Sequence, residues 1–308
     1  FLFFRLLIGA IGASFVITPY HTSIMFAPNV VGTANATTAG WGNAGGGATQ
    51  ALMPLLLGAI VMFGVEKTLG WRIALLVPGI MMIIVGCMYW KFTQDAPQGN
   101  FKELRAQGVS VGSDKKGGMA ILMTAARNYR VWILFGAYAA CFGIEIFIHN
   151  IIAMYYVDHF NFGLKEAGMA AGIFGLLALF ARALGGIVSD KVATKKGLDG
   201  RTKVLFLMIL MEGFFLIVFS QMNSAMLAIL TMTVFALFTH MACGATYALV
   251  PFIDRDALGG VAGIIGAGGN VGAAEGEGGH GQCSFAVMNM RPAVCPAATP
   301  PKCAPPRR

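Results

Sequence analysis

The chain has 308 residues, of which 56% are hydrophobic and only 12% charged, with a formal net charge of +8. Soluble domains carry about 25% charged residues, so this composition leaves too little polar side chain to coat a water-facing surface and excludes an ordinary soluble enzyme or binding module. Nucleic acid is also excluded as the partner of the basic excess, because the lysines and arginines gather between apolar runs, as in cytoplasmic loops of a membrane protein.

A helix needs about 20 mostly apolar residues to cross about 30 Å of hydrocarbon. In chain order the stretches that meet this rule fall near 1–25, 36–64, 71–91, 131–156, 167–189, 203–221, 224–250 and 257–274. The first begins at Phe1 and holds Arg5 without a preceding basic region. It reads as a membrane helix that has lost what came before it, in a fragment, a processed product or a partial gene product. The second stretch carries Ala39-Gly40-Trp41-Gly42-Asn43-Ala44-Gly45-Gly46-Gly47-Ala48-Thr49-Gln50. Glycine at this density weakens a helix in water. In a bilayer it lets two helix backbones approach closely.

After the third stretch comes the one long polar interruption, 92–126, with mixed charge and repeated glycine. It reads as a flexible cytoplasmic linker between two helix bundles. Basic residues crowd 91–130 and 190–203, while the alternate connections at Glu66–Lys67, Asp158–Lys165 and Gln221–Ser224 are nearly free of them. The positive-inside rule then puts 91–130, 190–203 and Asp254–Asp256 in the cytoplasm. The expected organisation is the end of an N-terminal bundle at 1–91, a linker at 92–130, a C-terminal bundle at 131–274, and a disordered or aberrant tail at 275–308. The tail has six of the twelve prolines.

The fourth and fifth stretches hold the ionisable candidates. Glu145 lies in Gly143-Ile144-Glu145-Ile146-Phe147-Ile148-His149-Asn150 and Arg182 in Phe180-Ala181-Arg182-Ala183-Leu184-Gly185-Gly186. A charge at that depth is costly and marks a functional site by default. Guanidinium is planar and always charged, and can hold a planar oxyanion through two parallel hydrogen bonds. A carboxyl group in low dielectric can carry a proton, or it can be the structural partner of Arg182 or Asn150. Glu212 reads as a packing or interfacial residue. His21, His149 and His240 stand singly and read as satisfied helix residues. Cys283, Cys295 and Cys303 with His280 match no zinc spacing, so no metal and no cofactor is expected. No clustered nucleophile, base or metal set points to an enzyme.

Two further motifs complete the reading. Gly186-Ile187-Val188-Ser189-Asp190-Lys191 is followed by Lys195-Lys196-Gly197, and Gly266-Ala267-Gly268-Gly269-Asn270-Val271-Gly272 repeats the Asn-among-glycines string of the second stretch. Two such strings suggest an internal repeat, and repeat transporters bind substrate near the repeat interface at mid-membrane.

These residues carry a resemblance. Gly186, Asp190 and Lys191 with the basic pair resemble the cytoplasmic loop signature of the major facilitator superfamily, and Arg5-x-x-x-Gly9 its fourth-helix motif. The two Asn-Gly strings resemble the paired signature segments of the nitrate/nitrite porter family, on its fifth and eleventh helices. Thr49-Gln50, Met53-Pro54, Ala242-Cys243-Gly244-Ala245-Thr246 and Val250-Pro251-Phe252 continue it in the plant and algal style. The resemblance implies an all-α membrane protein with an incomplete major facilitator fold, about eight of twelve helices, the fourth to the eleventh. It implies that Arg182 binds substrate, that Tyr138 is the aromatic contact on the seventh helix, and that Asn43, Asn270, Gly45 and Gly268 line the same site. Glu145 is the proton-coupling candidate. The implied function is nitrate or nitrite transport, coupled to protons, across the plasma membrane, with a small accessory membrane protein as a partner. The alternatives on the same scaffold are a non-transporting nitrate sensor or an inactive fragment. The family's second arginine, on its second helix, and its twelfth helix have no counterpart in these residues.

Overall fold

A computed structural model describes residues 14–108, 117–254 and 257–278. The described residues form helices α1 (Ser14–Met25), α2 (Val31–Met62), α3 (Lys67–Phe92), α4 (Phe101–Ala106), α5 (Gly118–Arg127), α6 (Tyr129–Phe160), α7 (Leu164–Leu176), α8 (Ala178–Ser220), α9 (Ala225–Leu249) and α10 (Leu258–Gly278). A 3₁₀ turn, Val250–Phe252, follows α9. The start of the first apolar stretch, the Arg5–Gly9 motif and the tail beyond 278, with its three cysteines, lie outside the described residues.

The apolar runs are helical almost to their predicted ends, because in hydrocarbon every backbone N–H and C=O must be satisfied within the helix. Among the described residues the runs long and apolar enough to span are Val31–Met62, Leu69–Phe92, Tyr129–Phe160, Leu164–Ser220 and Ala225–Phe252. The 57-residue run Leu164–Ser220 is too long for one crossing. Gly197, at φ 58° and ψ −144°, breaks it into two. That backbone is open to glycine and strained for any side chain. The sequence reading of two stretches, ending near 189 and starting near 203, agrees with this turn. Asn161, in the left-handed region at φ 55°, ends α6. Within 92–130, α5 packs on α10, where Gly260 faces the Ile121 carbonyl and the Ala125 side chain.

Large apolar side chains point outward along α3, including Leu76, Ile80, Met81, Ile83 and Trp90. Such a surface is untenable in water and ordinary in lipid, and the chain is an integral membrane protein. Its interior is built from close helix contacts. α8 and α9 pack most extensively, then α6 and α10, then α2 against α7 and α8.

Glycines make these approaches. A Cβ on Gly185 would strike the backbone of Met241, and one on Gly244 the carbonyl of Arg182. The α8–α9 contact is therefore tightest at the level of Arg182. Gly40 lies against Ala178 and Arg182, and Gly47 against Gly175 and Leu176. In the second string Gly268 meets Phe135, Gly269 meets Tyr138 and Phe142, and Gly272 meets Ala139.

Gly45 departs from the packing role expected of its string. Nothing lies within 4 Å of a Cβ placed there. It is about 140° around α2 from Gly40, at 3.6 residues per turn. It opens on an apolar cavity of about 1060 Å³ between α1, α2 and α3, lined by Thr49, Leu52, Val77, Met81 and Tyr89 among others. No charged residue lines this cavity. Gly47→Leu is therefore expected to lower thermal stability and folded yield strongly, by about 1–3 kcal/mol or more for overpacking, whereas Gly45→Leu should fold normally. Melting curves of the two purified variants check this. Normal melting of the Gly47 variant would refute the close approach.

Candidate functional site

Two charged residues of the interior, on different helices, meet. Arg182 of α8 is 0% exposed and Glu145 of α6 is 1% exposed. The Arg182 Nη2 donates to Glu145 Oε2 at 2.5 Å. Two ions removed from water cost several kcal/mol each, and only good geometry with further hydrogen bonds offsets this. Here the offset is partial. Arg182 Nε and Nη1 are buried without a hydrogen-bond partner among the described residues, and the Tyr138 hydroxyl lies near Tyr247 and Arg182. Each unsatisfied buried donor costs about 1–3 kcal/mol, more when charged. The arrangement is short of an acceptor, and an anion would supply one.

Aromatic rings form the wall beside this charge. The Arg182 Cζ sits 5.4 Å from the centre of the Phe142 ring. Tyr138 stacks on Phe142 with centroids 4.9 Å apart, and meets Tyr247 edge-on at 5.2 Å. Tyr138, fully buried on α6, thus lies in the cluster with Arg182. The guanidinium beside these rings is planar, and its fork of donors suits a planar oxyanion.

The two asparagines lie on different helices, each of which packs on a helix of the cluster. Asn43 of α2 is half-buried and donates to its own Ala39 carbonyl at 2.9 Å. Asn270 of α10 is exposed and donates to Gly266 at 3.2 Å. Each amide has a second N–H and a carbonyl oxygen besides. α2 packs on the helices that carry Arg182, and α10 on the helix that carries Tyr138 and Glu145. Gly268 supports α10 against α6, while Gly45 faces the apolar cavity away from Arg182.

Three residues escaped the sequence reading as site members. His240 of α9 is fully buried, and its Nδ1 lies 3.3 Å from Glu145 Oε2. Cys243, one turn along α9, donates to the same oxygen at 3.5 Å. Gln50 of α2 donates to the His149 carbonyl, one turn from Glu145. The only signal for His240 was a polar residue within an apolar run. Glu212 lies in the interior at 3% exposure rather than at an interface, with the Thr239 side chain close by.

The loop motif forms a second polar centre. Asp190 accepts from the Thr33 backbone N–H at 2.7 Å and the Thr33 hydroxyl at 2.6 Å, in the first turn of α2. An acidic group there complements the helix dipole. Arg201, beyond the Gly197 turn, pairs with Asp190 at 2.6 Å and lies 4.6 Å over the Phe252 ring. Gly186 allows the approach, since a Cβ there would strike Ala36 and Gly32. Lys191 is exposed. Asp190 thereby ties the start of α2 to both halves of α8.

The chain is thus a bundle of glycine-packed apolar helices around a buried ion pair, with an acidic tie at one loop. The sequence profile of the Major Facilitator Superfamily matches residues 1–276, and the chain belongs to that superfamily. It is 40% identical over 273 residues to "High affinity nitrate transporter 2.5" of Arabidopsis thaliana, a match covering 89% of this chain and 54% of that protein. It is 38% identical over 273 residues to "Nitrate transporter 2.2" of Chlamydomonas reinhardtii, covering 88% and 53%. It is 25% identical over 334 residues to "Nitrate/nitrite transporter NrtP" of Nostoc punctiforme, covering 87% and 66%. Within the superfamily this is the nitrate/nitrite porter family. The chain spans about half the length of the plant and algal relatives it matches.

Proposed function

We propose that the chain is the substrate-binding portion of a nitrate transporter, with nitrite as the second substrate, that imports its anion with protons by alternating access at the plasma membrane. The observation that carries this reading is the unsatisfied guanidinium. Arg182 keeps two buried nitrogens without acceptors beside Tyr138 and Phe142. A planar, singly charged oxyanion matches the planar fork of donors. The similarity to proteins named as nitrate transporters supports the same anion.

Energetics support the coupling. An interior-negative membrane opposes an incoming anion by about 2.3 kcal/mol per charge per 100 mV. Two protons per nitrate would reverse the sign of the transported charge and let the potential drive import. Glu145 is the candidate carrier, since it is the carboxyl group in contact with the anion-binding cation. Asp190 and Arg201 form the contact that would open and reform as the bundles rock.

The reading is tested by equilibrium binding of labelled nitrate to the purified protein in lipid nanodiscs. Binding that nitrite displaces and that chloride and sulfate displace much more weakly is expected. Displacement by chloride at equal concentration would contradict the assignment of a planar oxyanion site.

A further inference from the structure

The hydrogen bonds around His240 fix where its proton lies. The His240 Nε2 is 2.9 Å from the carbonyl of Phe174. A carbonyl only accepts, so Nε2 carries the hydrogen. In the neutral imidazole that leaves a lone pair on Nδ1. Nδ1 faces Glu145 Oε2 at 3.3 Å, and it has no donor among the described residues. Two acceptors thus face each other in a dry interior, where the repulsion is weakly screened. A proton placed between them turns the repulsion into a charge-assisted hydrogen bond.

The oxygen that would receive this bond is the one that holds Arg182. Arg182 Nη2, Cys243 Sγ and His240 Nδ1 all converge on Glu145 Oε2. A guanidinium grips an oxyanion through two parallel bonds along either of two edges, Nε with Nη2 or Nη1 with Nη2. Both edges use Nη2. With one Nη2 hydrogen held by Glu145, one edge stays whole, but the carboxylate neutralises the guanidinium and repels an anion there.

We propose that His240 is a proton-binding site whose protonation draws Glu145 from Arg182 and so leaves the guanidinium charge to the anion. This rests on the nitrate-transport reading and moves the coupling proton from the Glu145 carboxyl group to His240, with Glu145 as the link to Arg182. A proton from water binds Nδ1, and the imidazolium donates to Glu145 Oε2. Nη2 is released to the incoming oxyanion. When the anion leaves, Nη2 returns to Oε2 and the proton departs from Nδ1. Proton and anion then each raise the affinity for the other, as linkage requires. The charges agree. Arg182, Glu145 and neutral His240 sum to zero, and with imidazolium the cluster gains the one positive charge that an anion neutralises.

The groups that face His240 come from every helix around it. α6 brings Glu145 and, one turn on, His149. α8 brings Arg182, with Glu212 in electrostatic range of Glu145. α9 itself brings Cys243, α7 presents the Phe174 carbonyl, and α2 brings Gln50 against the backbone of His149.

The test is calorimetric titration of the purified protein in lipid nanodiscs with sodium nitrate, in two buffers of different ionisation enthalpy. Wild-type protein should take up a large fraction of one proton per nitrate near pH 6.5. Its affinity should weaken as the pH rises from 5.5 to 7.5, by at most about tenfold per pH unit, the limit that one linked proton sets. In His240→Gln or His240→Asn the uptake should fall near zero and the affinity should vary less than about twofold over that range. Nitrate binding by wild-type protein with no proton uptake overturns this inference and leaves the nitrate site standing. Undiminished uptake in a folded His240 variant also overturns it, and moves the proton to another group. Absence of nitrate binding at every pH overturns the nitrate reading itself. The wild-type result needs no variant to fold.

Discussion

Arg182→Lys is expected to weaken nitrate binding by about 10- to 100-fold while the protein folds and inserts. The arithmetic follows from the lost fork. A hydrogen bond to a charged group is worth about 1.5–3 kcal/mol, and each 1.4 kcal/mol is about tenfold in affinity. Lysine keeps a positive charge for Glu145 but offers a compact ammonium that cannot grip a planar oxyanion along an edge. Arg182→Ala should behave differently. It strands Glu145, 1% exposed, without its cation. Breaking one side of a buried pair costs about 3–5 kcal/mol, so the alanine variant should lose both binding and thermal stability. Adding Glu145→Gln to Arg182→Ala removes the stranded charge and should restore much of the stability without restoring nitrate binding. Radiolabelled nitrate binding and melting temperature, read on the same preparations, check all three. Wild-type nitrate affinity in the lysine variant would remove Arg182 from the anion site.

The fold of this chain was largely written in its hydropathy, because a lipid-facing helix must be apolar over its whole length. The runs near 36–64, 71–91 and 131–156 correspond to α2, α3 and α6 within a few residues. The break between the runs near 167–189 and 203–221 was legible from the basic cluster and Gly197. Arg182 was legible for the same reason, since a charge in an apolar helix stands out from its neighbours.

What sequence could not give is which residues meet across helices. Glu145, Arg182 and His240 are brought to one oxygen by the α6–α8–α9 packing, and their separations of 37 and 58 residues along the chain carry no sign of it. His240 therefore read as an isolated, satisfied histidine. The roles of the glycines in one string differ for a similar reason. Gly40 and Gly47 share a face and pack, whereas Gly45 points elsewhere. Composition shows that a helix can be approached closely but not from which side. The partners of Asp190 were equally hidden, because Thr33 lies 157 residues away.

Glu145→Gln isolates the coupling step. Glutamine keeps the shape and can still accept from Arg182, but it removes the fixed negative charge. Arg182 then lacks a permanent counterion, and an anion becomes its natural partner. Nitrate affinity at neutral pH should rise rather than fall. The pull that a protonated His240 exerts on the carboxylate should vanish with the charge, and with it the means by which a proton gradient does work on the anion.

The most direct measurement is nitrate accumulation by the purified protein in liposomes, with an acid-outside pH gradient and an inside-negative potential imposed. Wild-type protein should raise internal nitrate above the external concentration, and a protonophore should abolish the excess. Glu145→Gln should bring internal nitrate to the external level at most, at least about tenfold below wild type if one proton's gradient of one pH unit is lost. Internal nitrate in wild-type vesicles that never exceeds the external level, despite nitrate binding, would contradict proton-coupled import. Full accumulation by the glutamine variant would contradict the part assigned to Glu145.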